Sequence, residues 1–198
     1  KRTVDIVGAT LGLIFLGPLI IFLALMVWIT MGSPIFFRQE RIGLNGTIFT
    51  MIKFRTMTAQ VSPSGESLED VERVTTFGNF LRVSSLDELP ELLNVVVGEM
   101  SLVGPRPLLV EYLKLYSEEQ SRRHEVRPGI TGWAQINGRN ETTWEDRLNH
   151  DIWYIKRRSF ILDIKIMMLT LFKVISRSGV TRANNGTMPK FTGQSGQT

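Results

Sequence analysis

The sequence predicts an α+β fold, mostly helical, built as a single domain around an N-terminal membrane helix. Three observations lead there: a long apolar run near the start, alternating residues around Asn45-Gly46, and a helix-period apolar segment near the end. With 198 residues and 43% hydrophobic content the chain can bury one real core, and a second independent domain is not expected. The expected division is a membrane helix over 1–33, a folded domain over 34–182 and a disordered tail over 183–198.

From Val4 to Met31 the sequence "VDIVGATLGLIFLGPLIIFLALMVWITM" carries one acid near its start and no other charge. About 20 apolar residues suffice to cross a bilayer, so length permits a span. The run is too long for a secretory signal and passes directly into a strand-like pattern, so the segment is read as retained. Gly17 and Pro18 interrupt it, because proline cannot donate to the carbonyl four residues earlier and glycine eases bending. Lys1 and Arg2 before the run, and Arg38 and Arg41 after it, put cytoplasm-type charge at both ends. A kinked single span is the reading that composition favours, and a re-entrant hairpin broken at Gly17-Pro18 is the one that satisfies both signals.

Next, "PIFFRQERIGLNGTIFTMIKFRTM" reads as two strands joined at Asn45-Gly46, a dipeptide suited to positive backbone angles. Strand alternation puts Lys53 and Arg55 on one face, which is either a solvated face or part of a site. Residues Ala59 to Glu72, polar and broken by Pro63 and Gly65, are expected to form a surface loop or lid. "TTFGNFLRVSS" then makes a short helical turn carrying Arg82.

In "SSLDELPELL" Pro90 is tolerated only in the first turn of a helix, which places a helix start near Leu86 or Asp87. Asp87 and Glu88 then lie at its positive end, where carboxylates are favoured and phosphate is attracted. Ser85 with Glu88 also matches a capping box, so the acids serve either as caps or as chemistry. Farther on, Arg106 stands between Pro105 and Pro107, and Arg127 and Arg139 fall in the turn-rich "RPGITGWAQINGRN". Any one of these arginines can be a surface ion pair. Together, two carboxylates amid Lys53, Arg82, Arg106 and Arg139 suit magnesium and a pyrophosphate, because magnesium binds through one or two carboxylates plus substrate phosphates.

The stretch "KRRSFILDIKIMMLTLFKVISRSG" is too short and too charged to span. With Trp153, Tyr154 and three basic residues in front, it is expected to form an amphipathic helix at headgroup depth, with core packing as the alternative. The tail is rich in Gly, Ser, Thr, Asn and Gln and has little to bury.

The charge of +4, from 23 basic and 19 acidic residues, allows an anionic membrane, a phosphorylated substrate or nucleic acid. The absence of cysteine excludes disulfides, a thiol nucleophile and a thiolate zinc site within this sequence. There is no nucleotide-binding glycine motif and no H-E-x-x-H, and His124 and His150 are the sole imidazoles. The three Asn-x-Thr matches, starting at Asn45, Asn140 and Asn185, are read as structural.

The set "KFRTM", "LRVSSLDELPELLNVVVGEMSLVGPRPLLVEY", "RPGITGWAQINGR" and "FILDIKIMMLTL", in order from about Lys1 to Val180, resembles the bacterial sugar transferase family, the monotopic polyprenyl-phosphate phosphoglycosyl transferases. It is most similar to short members consisting of the catalytic domain alone, such as the one that starts bacterial protein N-glycosylation. The resemblance implies transfer of a sugar phosphate from a UDP-sugar to undecaprenyl phosphate, with UMP released and magnesium as cofactor. It implies a re-entrant helix and a catalytic domain at the cytoplasmic face of the inner membrane. By motif, Asp87 would be the nucleophile and Glu88 its partner, both toward magnesium, with Lys53, Arg82, Arg106 and Arg139 on phosphate and nucleotide. Asp163 matches as well, and an ion pair that holds the fold is its other use. The rival reading is a membrane-attached basic scaffold on anionic lipid or nucleic acid. Nucleic acid is not expected, since no binding motif is present.

Overall fold

Residues 1–58, 73–138, 143–176 and 190–193 are described by the computed structural model. The expected loop or lid at 59–72, Arg139 and most of the 183–198 tail lie outside them.

Helix α1 (Arg2–Met31) runs through Gly17 and Pro18 without interruption, so the break expected there is not seen. Pro18 costs one backbone bond, which a 30-residue apolar helix of about 45 Å can lose and remain helical. It is the one helix among the described residues long and apolar enough to cross a membrane. Its two halves pack separately. Ala9 and Leu13 join Phe49, Met51, Leu92, Val95 and Met100, whereas Ile20, Leu23, Ala24 and Val27 join Phe54 and Leu81. Residues 14–19, between them, belong to no core cluster.

Both ends of α1 are tied to the same body. Lys1 Nζ donates to the Val103 carbonyl (2.9 Å), Tyr154 Oη (2.9 Å) and Asp163 Oδ2 (2.6 Å), and the Arg2 guanidinium donates to the carbonyls of Val95 and Val96. At the far end Arg55 donates to the carbonyls of Met31, Gly32 and Ser33, satisfying acceptors that a helix C-terminus leaves open. Lys1 and Arg2, read as topology signals, are thus also structural ties, and Asp163 is part of one of them.

Strands β1 (Phe36–Ile42) and β2 (Ile48–Phe54) pair antiparallel from Phe36↔Phe54 to Ile42↔Ile48. The turn has Asn45 at φ 53° and Gly46 at φ 78°, as Asn-Gly predicts. Phe49 and Met51 are buried, so the face that also carries Lys53 points inward rather than to solvent.

Helix α2 (Thr76–Val83) is capped by Thr75 and closely approaches the segment just after β2 at Gly78, where a Cβ would lie 1.9 Å from the Thr56 carbonyl oxygen. After a 3-10 turn, α3 (Glu91–Val97) is fixed to β2 by Asn94. Its amide donates to the Thr50 carbonyl (2.8 Å) and accepts from Ile52 N–H (3.2 Å). Strand β3 (Ser101–Val103) pairs in parallel with β4 (Gly129–Thr131), a second small sheet the sequence reading lacked. Short helices α4 (Glu118–Ser121) and α5 (Trp133–Asn137) precede α6 (Trp144–Arg157), whose Thr143 and Asp146 form a capping box.

Helix α7 (Phe160–Ile175) turns Asp163 and Ile166 inward and leaves Phe160, Ile161, Ile164, Met168, Leu171 and Phe172 exposed. One side packs on the core, as the alternative reading expected, and the other is an apolar face open to the surroundings. Within the tail, where disorder was expected, Phe191 is 6% exposed and packs among Tyr112, Tyr116 and Trp144. One large ring supplies enough buried surface to hold residues 190–193 in place.

Candidate active site

Ser85 to Glu91 place the acids, but not as a helix start at Leu86. Pro90 has no N–H to close an α-turn onto Leu86, so the chain closes two tighter bonds instead, Glu88 N–H to Ser85 O and Leu89 N–H to Leu86 O, both 3.3 Å. Leu86–Glu88 is therefore a 3-10 turn, entered through Ser85 at φ 57°, and α3 begins only at Glu91. Ser85 makes no capping bond. The capping box is absent, and the acids owe their setting to side-chain cations rather than to a helix dipole.

Glu88 Oε1 accepts from Lys53 Nζ and from Arg106 Nη2, each at 2.6 Å. Lys53 Nζ also lies 3.1 Å from Glu91 Oε1, and Glu91 is 2% exposed. Burial alone would raise the Glu88 carboxyl, but Arg106 and Lys53 outweigh it and hold it at about 2. Glu91, more deeply buried and with one cation close by, is pushed up to about 7.

Asp87 accepts no hydrogen bond from any described residue, and its charged neighbours are Glu88, Lys53, Arg106 and Arg82. Burial and then the Glu88 charge raise its carboxyl to about 6, against the pull of the three cations. It is still mostly ionised at pH 7, though by a smaller margin than the sequence suggests. Its partner is clamped and it is not. That division leaves one carboxylate free to act.

The turn opens on a cleft of about 720 Å³. Gly12 and Leu16 of α1 and Leu171 and Val174 of α7 line it together with Arg82, Glu88, Arg106, Arg123 and Arg147, whereas Asp87 and Lys53 are not among its lining residues. Arg82 Nε donates to Thr56 Oγ1 (2.9 Å) at the edge of the turn. The structure therefore gathers Asp87, Glu88, Lys53, Arg82 and Arg106 in one place. Among the described residues, no three carboxylate or imidazole side chains group into a metal site. A magnesium ion would have to be held by Asp87 and Glu88 and completed by substrate phosphates, which suits a metal that arrives with its nucleotide.

Sequence reasoning missed Glu91, Arg123 and Asp151. Glu91 had a readable signal, an acid three residues after Glu88. Arg123 and Asp151 had none: they sit on different elements, 28 positions apart, and each side chain is 2% exposed.

Comparison with known proteins gives this fold and site a family. A profile of the bacterial sugar transferase family matches residues 1–177, and the chain belongs to that family. It is 50% identical over 193 residues to the uncharacterized sugar transferase EpsL of Bacillus subtilis, covering 98% of this chain and 96% of EpsL. It is 45% identical over 183 residues to the UDP-glucose:undecaprenyl-phosphate glucose-1-phosphate transferase of Escherichia coli, covering 87% of this chain but 39% of that enzyme. It is 38% identical to the exopolysaccharide production protein ExoY of Sinorhizobium fredii, with 86% and 83% covered.

Proposed function

We propose that this chain moves a sugar phosphate from a UDP-sugar to undecaprenyl phosphate and releases UMP. The observation that carries the reading is the divided carboxylate pair, Glu88 clamped by two cations and lining a largely apolar cleft, with Asp87 unclamped next to it in the same turn. The Escherichia coli relative, a UDP-glucose:undecaprenyl-phosphate glucose-1-phosphate transferase, supports the donor and acceptor class.

In the first step an Asp87 Oδ attacks the phosphorus that bears the sugar. The bond from that phosphorus to the bridging oxygen breaks, and UMP leaves with the oxygen and its electron pair. In the second step a phosphate oxygen of undecaprenyl phosphate attacks the same phosphorus and Asp87 departs as carboxylate. Arg82 and Arg106 supply positive charge beside the transferring group, and Lys53 keeps Glu88 in place. Magnesium, when bound, would neutralise phosphate charge. Glu88 keeps its second oxygen to help Asp87 hold it.

The helix α1 is proposed to bend at Gly17-Pro18 within its continuous helical run, so that residues 14–19 dip into the cytoplasmic leaflet while both ends stay on one side. Both of its ends are tied to one body, while residues 14–19 lie outside the core clusters. The exposed face of α7 is proposed to rest at headgroup depth, which brings the cleft to the plane of a lipid phosphate. The ExoY resemblance favours exopolysaccharide assembly over protein glycosylation as the pathway served.

The test is UMP release by detergent-solubilised protein given undecaprenyl phosphate and a panel of UDP-sugars, with and without EDTA. UMP from at least one donor, abolished by EDTA and restored by magnesium, is expected. No UMP from any donor refutes the reading.

A further inference from the structure

The segment Gly104 to Leu108 carries Arg106 to Glu88, yet it has prolines at 105 and 107 and so lacks two of its backbone donors. Such a segment must be held largely by its carbonyls. Three are held by other strands or loops: Pro105 O accepts from Gly129 N–H (3.0 Å), Pro107 O from Arg41 Nη1 (3.4 Å) and Leu108 O from Ile42 N–H (3.2 Å). A fourth, on Arg106 itself, accepts from Arg123 Nη2 at 2.8 Å.

Arg123 is aimed with little freedom. Its Nε and Nη2 donate to Asp151 Oδ2 at 3.1 and 2.7 Å, its Nη1 donates to Tyr116 Oη at 3.3 Å, and both members of the ion pair are 2% exposed. Three nitrogens are thus committed to protein partners. A buried ion pair is weak grounds for stability, since apolar residues of similar volume often serve as well or better. Its fork geometry does something an apolar pair does not. It fixes the Arg106 carbonyl, and through the stiff proline-flanked backbone the place from which the Arg106 guanidinium reaches Glu88.

We propose that Arg123 and Asp151 are positioning residues for the phosphosugar transfer, acting through Arg106 rather than on substrate. The inference rests on the function proposed above. It predicts that replacing the pair by apolar side chains separates catalysis from folding.

The experiment is a cycle on the solubilised full chain, read as kcat and KM for UMP release with whichever UDP-sugar the wild type turns over. The Arg123→Met/Asp151→Leu double variant is expected to keep its melting temperature within a few degrees and its donor KM within about twofold, while kcat falls by about 10- to 100-fold. In an Arg106→Ala background the same two changes are expected to lower kcat by less than about twofold more, because the residue they act through is gone. Arg123→Lys gives a second route if the double variant does not fold. Lysine keeps the charge beside Asp151 but loses the fork, and the same kcat loss and the same silence with Arg106→Ala are expected. An undiminished kcat in either folded variant, or losses that multiply with Arg106→Ala, overturns the proposal. Failure of wild type to release UMP removes the function reading and this inference with it, whereas an active wild type with an equally active variant removes the inference alone.

Discussion

Lys53 reaches two of the site's acids, Glu88 and Glu91, and Lys53→Met tests how the carboxylates are held. Glu88 keeps Arg106 after the change, but Glu91, 2% exposed, loses the cation 3.1 Å from it. Removing one partner of a buried ion pair costs about 3–5 kcal/mol. Lys53 and Glu88 keep 11% and 17% side-chain exposure, so water offsets part of this, and about 3 kcal/mol is a fair expectation. For a chain of this size that is a fall in Tm of about 6–12 °C. Tryptophan fluorescence on heating the detergent-solubilised protein reads it. Adding Glu91→Gln to Lys53→Met should recover roughly half, since a neutral amide needs no counter-charge. The pH dependence has a definite sign. The Glu91 carboxyl lies at about 7 in the fold against an ordinary 4.5, so its contribution is fully present below about 4.5 and lost as pH rises through about 7. Without Lys53 that loss deepens, and the deficit should be larger at pH 8 than at pH 6. A Tm within 2 °C of wild type at pH 8, or no recovery with Glu91→Gln, refutes the reasoning.

Three further outcomes follow from the same structure. Asp87 must be ionised to attack and titrates at about 6, so kcat/KM should fall below pH 6; in Glu88→Gln, with the neighbouring charge gone, that limb should move to lower pH, read from a pH–rate profile. Phe191→Ala should cost about 2–4 kcal/mol, because the ring is buried against Tyr112, Tyr116 and Trp144, and an unchanged Tm would contradict its packing. Because the sequence has no native cysteine, Thr3→Cys and Ser33→Cys can be probed singly in cells with a membrane-impermeant maleimide. Both are expected to stay unlabelled until the inner membrane is opened, and labelling of Thr3→Cys alone in intact spheroplasts would make α1 a span.

What the sequence made legible is what local chemistry decides. Asn45-Gly46 specifies its turn through backbone angles that few residues accept, and the strand alternation puts Lys53 where it is found. Pro90 marks a helix boundary correctly but not its side: the missing N–H starts α3 after the proline and forces Asp87 and Glu88 into a 3-10 turn before it. Pro18 shows the converse, since one absent bond did not interrupt a long apolar helix. The tie of Arg123 to Arg106, the parallel pairing of β3 with β4 and the seat of Phe191 join residues from distant parts of the chain, and no periodicity records such a meeting. Resemblance to a family named Asp87, Glu88, Lys53, Arg82 and Arg106, and the fold supplies the asymmetry between the two acids that composition left undecided.

The central claim is that Asp87 takes the phosphosugar onto itself. Intact-protein mass, measured after incubation with magnesium and each UDP-sugar but no lipid acceptor, tests it most directly. The account predicts a sugar-phosphate adduct with UMP release on wild type and neither on Asp87→Asn. UMP formed only after undecaprenyl phosphate is added, with no adduct at any time, would contradict it in favour of direct transfer.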